Sequence, residues 1–396
     1  MKLLLIVDDY LPHSIKVAAK MMHELALEFK ANNHDVTVLT PDPRLRIPFK
    51  VEEIDKIKIV FFKSGEVKNI SKVRRAINES LLSVRAWNTT RSYLKSNPHD
   101  AIIYYSPSIF WGPMVGRLKR LWGAKSYLIL RDIFPQWTVD NGLISKRSPI
   151  YQYFKFFERI NYKHADKIGV MSPSNLSFFQ SVQKDVIKFE VLYNWAKIDV
   201  PRIADSHFRD QLGLKEKVVF FYGGNIGHAQ NMINLIHLAH RLKDNPNVHF
   251  LFVGKGDEVD LILTEKKKNQ LDNVTYLPPV GQQTYFKMLN EFDIGLFSLH
   301  PGHKTHNFPG KLLGYMEFSK PILGSVNKGN DLKIIVNQAK AGFIFDHGED
   351  EEFYNAALRL IQSESLRNET GKLARQLLIN QFSVGRACRQ IENSLK

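Results

Sequence analysis

Cysteine is nearly missing from this chain: Cys388 stands alone among 396 residues, which excludes an intrachain disulfide and a thiolate metal cluster and fits a reducing cytosol. Long apolar runs are missing too. No stretch of roughly 18 or more apolar residues occurs, so no membrane-spanning helix is expected. The opening residues 1–7 run directly into Asp8-Asp9 with no cleavage-site pattern. The signature G-x-x-x-x-G-K-[ST] is absent, which disfavours a P-loop kinase or ATPase, and no complete G-x-G-x-x-G is present. Asp8 and Asp9 find no third acidic or histidine ligand at a telling spacing, so no metal ion is required.

What the chain has in excess is positive charge, +15 overall, and it is unevenly spread. Residues 1–200 hold 31 Lys and Arg against 19 Asp and Glu, and residues 201–396 hold 24 against 21. The excess concentrates between Lys63 and Lys125, with 12 basic and 3 acidic residues interleaved with Trp87, Tyr93, Phe110, Trp111 and Trp122. Such a mixture suits an anionic membrane surface, where each basic residue contributes about 1 kcal/mol and Trp or Leu dips into the interface. A solvated basic face over an ordinary core and a nucleic-acid surface are the competing readings.

The length suggests two or three domains, and the periodicities divide it into two similar halves. Lys2 to Val7 reads as a buried strand. Ser14 can cap a helix with apolar residues at Ala18, Met21, Met22, Leu25 and Phe29, and Asp35–Thr40 reads as the next strand. Ile57–Phe62, Asp100–Tyr105, Ser126–Leu130 and Lys167–Met171 continue the alternation, and Asn194–Asp205 reads as a linker. A second alternation follows, with strands at Lys217–Tyr222, Val248–Val253, Val274–Leu277 and Asp293–Leu299. Two doubly wound α/β domains with parallel sheets account for both halves.

Chemistry is expected where strands end. Glycine-bearing loops at 223–227, 254–256 and 308–310 each follow a strand of the second half, so their backbone donors can converge on a diphosphate. In Phe308-Pro309-Gly310-Lys311-Leu312 a helix opens at Pro309. Its free N–H groups and positive dipole end suit a phosphate, Gly310 allows close approach, and Lys311 adds a full charge. In the first half, Asp132 beside Arg131 can orient an acceptor hydroxyl or take its proton, with a cap or internal ion pair as the plainer reading. His13 is a similar candidate, a simple donor otherwise. Ser14 and Ser106, at the ends of the first loop and of the strand ending at Tyr105, and Arg131 can contact an acceptor.

His34-Asp-Val-Thr-Val-Leu-Thr-Pro41, Tyr222-Gly-Gly-Asn-Ile-Gly-His-Ala-Gln230, Phe252-Val-Gly-Lys-Gly256 and Phe308-Pro-Gly-Lys-Leu-Leu-Gly-Tyr-Met316 resemble the signature segments of glycosyltransferase family 4. The resemblance spans essentially the whole chain. Within that family it is most similar to bacterial O-antigen transferases, especially the WbuB-type group of L-fucosamine transferases. The resemblance implies a GT-B fold: two Rossmann-like domains facing a central cleft. An acceptor and membrane-facing domain would occupy 1–200, a nucleotide-sugar domain 201–381, and a last helix, 382–396, would return to the first.

It further implies a retaining, metal-independent hexosyltransferase with no cofactor. A UDP-linked deoxy-N-acetylamino sugar such as L-FucNAc would pass to a polyprenyl-diphosphate-linked saccharide on the inner face of the cytoplasmic membrane, and no nucleic acid is expected as a partner. Carried over by position, Gly224 and Asn225 lie by the sugar or diphosphate, Gly254 and Pro279 near the base, and Phe308 to Leu312 over the phosphates. Asp132 falls where many relatives place a His near the reacting sugar. The family's paired glutamates fall here on His306 and Gly314, so the ribose is left to Glu317 or to another group. A UDP-sugar 2-epimerase on the same fold and a non-catalytic basic module for lipid or nucleic acid are the rival functions.

Overall fold

The computed structural model describes residues 1–14, 16–67, 70–140, 142, 144–182, 188–198, 206–302 and 308–396. Thr305 and His306, and residues 199–205 of the expected linker, lie outside these. The described chain separates into two compact units, Met1–Asn194 with Val384–Lys396, and Trp195–Ser383.

The first unit begins β1 (Lys2–Ile6), α1 (Val17–Ala31), β2 (Asp35–Asp42), β3 (Phe49–Ile54), β4 (Ile57–Lys63), α2 (Lys72–Ser80), α3 (Leu82–Ser96) and β5 (Ala101–Ser106). It continues α4 (Gly112–Trp122), β6 (Lys125–Leu130), α5 (Gln136–Asp140), α6 (Pro149–Lys163), β7 (Lys167–Val170), α7 (Pro173–Val182) and β8 (Phe189–Val191). Its sheet has the order β3-β4-β2-β1-β5-β6-β7-β8. All neighbours are parallel except β3, which pairs antiparallel with β4. That hairpin was not expected. It turns on Asp55 and Lys56, both left-handed at φ 49° and 63°, the conformation a two-residue hairpin turn needs.

The sheet's centre is built from uninterrupted apolar strands such as Leu3–Ile6 and Ala101–Tyr104, all buried, as expected of parallel strands covered on both faces. Leu4, Ile6, Ile102 and Tyr104 meet Trp111, Met114 and Leu118 from α4 and the loop before it. The aromatic residues of the basic segment therefore go largely inward. Phe110 and Trp111 are buried, and Trp87, Tyr93 and Trp122 pack against the same core. Ser14 is not a helix cap: α1 starts from Lys16, which makes no side-chain capping bond, and the Ser14 hydroxyl accepts from the Lys16 N–H at 3.2 Å instead.

The second unit runs α8 (Phe208–Gln211), β9 (Val218–Asn225), α9 (Met232–Arg241), β10 (Val248–Lys255), α10 (Val259–Asn269), β11 (Val274–Leu277), α11 (Gln282–Glu291) and β12 (Ile294–Ser298). After these come α12 (Gly310–Glu317), β13 (Ile322–Val326), α13 (Asp331–Gln338), β14 (Gly342–Asp346), α14 (Asp350–Gln362) and α15 (Glu364–Leu377). Its sheet is parallel throughout, in the order β11-β10-β9-β12-β13-β14. Trp195 begins this unit, rather than residue 201, because Ala196 bonds to Phe382 O at 2.9 Å and bridges to Ser383. The final helix, α16 (Val384–Leu395), belongs to the first unit. Its Glu392 accepts from Asn32 and lies 3.0 Å from His34 Nε2, and its Gln390 donates to Val191 O.

Candidate functional site

Both sheets reverse their winding once, between β1 and β5 in the first unit and between β9 and β12 in the second. Ligands of open α/β sheets bind outside the carboxyl ends of the strands at such a reversal.

In the second unit β9 does not stop at Tyr222 but carries Gly223, Gly224 and Asn225 into register with Val253, Gly254 and Lys255. The approach of the two strands demands glycine, since a Cβ on Gly254 would stand 1.8 Å from Gly224 O. On the other side of the reversal, α12 opens at Gly310 behind Pro309. The N–H groups of Gly310 and Lys311 have no acceptor inside their own helix. The Lys311 side chain crosses to β9: its Cε and Nζ lie 3.7 and 3.9 Å from where a Gly224 Cβ would stand. Its Nζ is 3.6 Å from the centroid of the Tyr222 ring and 3.3 Å from Gln230 Oε1. Desolvation pushes this ammonium well below the ordinary lysine value.

Gly224, Gly254, Gly310 and Lys311 are thus brought together. Other expected residues serve differently. Phe308 and Leu312 are buried, and the Phe308 ring packs on Phe382 at 4.5 Å, so these two can offer a ligand backbone only. Pro279 is exposed beyond β11, at the sheet's edge. Glu317 is buried at the far end of α12, six residues and so roughly 9 Å along the helix from Lys311. At Gly314 an added Cβ would meet Leu289 Cδ1 at 3.4 Å and Tyr285 at 4.0 Å, ordinary contact distances. Tyr222 and Gln230 belong to a signature segment whose sequence carries no direct signal for their role. A lysine needs partners, and Gln230 lies only five residues beyond Asn225.

The first unit's reversal is acidic and neutral rather than basic. Asp8, two residues beyond β1 and half-buried, accepts the Trp111 indole N–H at 2.6 Å and the Ser108 N–H at 3.1 Å. Burial outweighs these bonds and pushes its carboxyl up to about 7. Tyr105 is pushed up to about 12, again by burial. Sequence reading weighed Asp8 only as a metal ligand, and its place at the reversal is visible only once strand order is known.

Asp132 is exposed, yet the protein around its carboxyl raises its pKa while Arg131 opposes the rise. Arg131 itself is buried and spends its guanidinium on the carbonyls of Leu130, Gly169 and Tyr193, so it ties β6 to its neighbours rather than facing an acceptor. Ser106 is fully buried and its Oγ finds no partner among the described residues. His13 lies 3.8 Å from Asp42 at the end of β2. That is three strands from β6, roughly 14 Å at the usual spacing, so His13 and Asp132 belong to different ends of the edge. Among the described residues no group of three or more His, Cys, Asp or Glu side chains is arranged to hold a metal ion.

Comparison with known proteins shows what the chain resembles. Residues 205–377, nearly all of the second unit, match the family model Glycosyl transferases group 1. The chain is 27% identical over 227 residues to WbjE of Pseudomonas aeruginosa, named as a probable glycosyltransferase, covering 56% of each chain. It is 28% identical over 222 residues to WcaI of Escherichia coli K12, named as a colanic acid biosynthesis glycosyl transferase, covering 54% of each. The chain therefore matches about half the length of these relatives. HepE of Anabaena, solved with UDP, superposes with a TM-score of 0.69 at 15% identity over 100% of this chain and 99% of its own. The fold is the two-domain GT-B fold, and residues 205–377 of the second unit are similar to the group 1 glycosyl transferases.

Proposed function

We propose that the protein transfers a sugar from a nucleotide diphosphate, with retention, in the synthesis of a surface polysaccharide. The observation that carries this is Lys311, a cation with neutral partners set beside unpaired helix N–H groups at the reversal of the second sheet. In transfer, the bond from the anomeric carbon to the diphosphate breaks, an acceptor hydroxyl oxygen takes its place, and the hydroxyl proton passes to the departing diphosphate. Charge then grows on the departing phosphate, and donors already fixed at that point stabilise it without reorganising. HepE, solved with UDP-glucose, and the relatives' names support a UDP-sugar donor and polysaccharide synthesis. The reading calls for no metal, since Lys311 and α12 meet the charge, and turnover should survive EDTA.

The finer reading is a UDP-linked deoxy-N-acetylamino sugar such as L-FucNAc, moved to a polyprenyl-diphosphate-linked saccharide by a WbuB-type transferase. The reading also places the enzyme on the inner face of the cytoplasmic membrane. No helix among the described residues is long and apolar enough to cross a membrane. What favours such contact is a set of exposed residues that extends beyond the expected segment. Val73 and Ile77 of α2 and Ile150, Tyr153 and Phe156 of α6 are exposed, and the Tyr153 hydroxyl donates to Ser80 at 2.7 Å, joining α6 to α2. Arg74, Arg75, Lys155 and Arg159 stand on the same two helices. Apolar side chains with basic neighbours suit an anionic bilayer.

A screen of UDP-sugars by release of free UDP, with a polyprenyl-diphosphate-linked monosaccharide as acceptor, tests the function. Release with UDP-L-FucNAc that depends on acceptor is expected. Acceptor-independent conversion of the donor points to the epimerase instead, and no release with any UDP-sugar sinks the proposal. Flotation with vesicles containing or lacking phosphatidylglycerol tests the surface, and indifference to the anionic lipid counts against it.

A further inference from the structure

A lysine at a helix start ordinarily extends into water. Lys311 instead folds across the carboxyl end of β9, and a closed set of contacts keeps it there. Gln230 Oε1 lies 3.3 Å from the Lys311 Nζ and 3.4 Å from the Tyr222 hydroxyl. That hydroxyl in turn donates to the Asn225 carbonyl, and the face of the same tyrosine ring lies under the ammonium. Gln230 reaches this place because residues 228–230 form a short 3-10 turn after β9, closed by the Gln230 N–H to Gly227 O at 2.7 Å.

Both groups that hold the lysine are uncharged. The acid that reaches this loop, Glu258 at the start of α10, is engaged elsewhere: it accepts the Met232 N–H at 2.9 Å and lies 3.4 Å from His228 Nδ1. A carboxylate in place of Gln230 would hold the amine at least as firmly, but it would cancel the charge. An aromatic face and an amide oxygen fix the position and leave the charge available. A lysine side chain carries about 2 kcal/mol of rotamer entropy, and fixing it beforehand removes that cost from binding.

We infer that Tyr222 and Gln230 are positioning residues for Lys311, holding its amine across the end of β9 with its charge uncompensated so that the phosphates of a nucleoside diphosphate meet it in place. The inference rests on the second unit being the donor site. Gln230 and Tyr222 act through Lys311 and not by touching the phosphates.

The test uses the full chain with two independent readouts. Competitive labelling with acetic anhydride, followed by digestion and mass spectrometry, measures the reactivity of the Lys311 amine without any ligand. Calorimetry with UDP and saturation-transfer NMR with uridine measure binding with and without phosphates. For Gln230→Glu, which preserves size and adds a charge, the expected result is a 10- to 100-fold loss of UDP affinity, unchanged uridine binding, and several-fold slower labelling of Lys311 as the new carboxylate holds it protonated. Gln230→Ala should weaken UDP only a few-fold and alter Lys311 labelling. Tyr222→Phe, which keeps the ring and removes the hydroxyl bridge, should lie between Gln230→Ala and wild type.

Wild-type UDP affinity in Gln230→Glu overturns the inference. So does an equal loss for uridine and UDP. Unchanged Lys311 labelling in both Gln230 variants, with UDP affinity lost, means that Gln230 touches the nucleotide itself and also overturns it. Should the wild-type chain bind no UDP, the donor reading fails with the diphosphate clause, while the labelling still decides whether Gln230 and Tyr222 control the lysine.

Discussion

The two units wind their strands alike and put opposite electrostatics at the point where the winding reverses. At β1 and β5 stands a carboxyl pushed up to about 7, with a tyrosine pushed up to about 12 nearby. At β9 and β12 stand bare glycine backbone, a helix start and a lysine held by neutral groups. The winding supplies the place, and the residues in the connecting loops decide the sign of what is bound there. An acid near neutrality suits an uncharged hydroxyl-bearing partner, and a desolvated cation suits a phosphate.

The sharpest way to break this contrast is to remove the cation. Lys311→Ala should lower turnover with a UDP-sugar by about 10²–10³, measured as UDP release, and should leave the titration of Asp8 untouched. Removing the close approach of the strands is nearly as severe. Gly254→Ala would drive a Cβ into Gly224 O, costing about 3 kcal/mol and lowering the melting temperature by roughly 8 °C, checked by calorimetry.

Asp8→Asn sharpens the other side. Burial favours the protonated acid in the folded state, so its stabilising contribution is present below the unfolded carboxyl value of 3.8 and is lost as pH rises through about 7. The asparagine variant, which does not titrate, should gain roughly 2–3 kcal/mol relative to wild type between pH 5 and pH 8. Melting curves at the two pH values check the sign, and the Trp111 indole N–H shift should titrate near pH 7 in wild type only. UDP affinity should be unchanged. The smallest effect expected is at Gly314, where the contacts leave room for a methyl group. Gly314→Ala inside α12 should stabilise by roughly 0.5–1 kcal/mol, seen as a rise of about 2 °C.

Strand runs such as Leu3–Ile6 and Val248–Val253 were legible because parallel strands buried on both faces leave an uninterrupted apolar record. The Pro309–Lys311 helix start was legible because proline and glycine punctuate the chain locally. The hairpin at Asp55-Lys56 left a short-range signal that periodicity of long elements overrode. Ser14 turns to the nearby Lys16 N–H and Ser106 is buried, while Arg131 shows that a polar side chain at a strand end can turn to the backbone as readily as to solvent, with neighbours distant in sequence deciding which. For Arg131 these are the carbonyls of Gly169 and Tyr193. Asp8 needed Trp111, 103 residues away, before its chemistry could be read. The interleaved aromatics of 63–125 were core, since a basic helix shows its charges and hides its rings.

Crystals soaked with UDP test the central claim most directly. Density for both phosphates within hydrogen-bonding reach of the Lys311 Nζ and the N–H groups of Gly310 and Lys311 is the predicted result. A diphosphate bound elsewhere, with Lys311 still resting on Tyr222 and Gln230 beside an empty helix start, would contradict it.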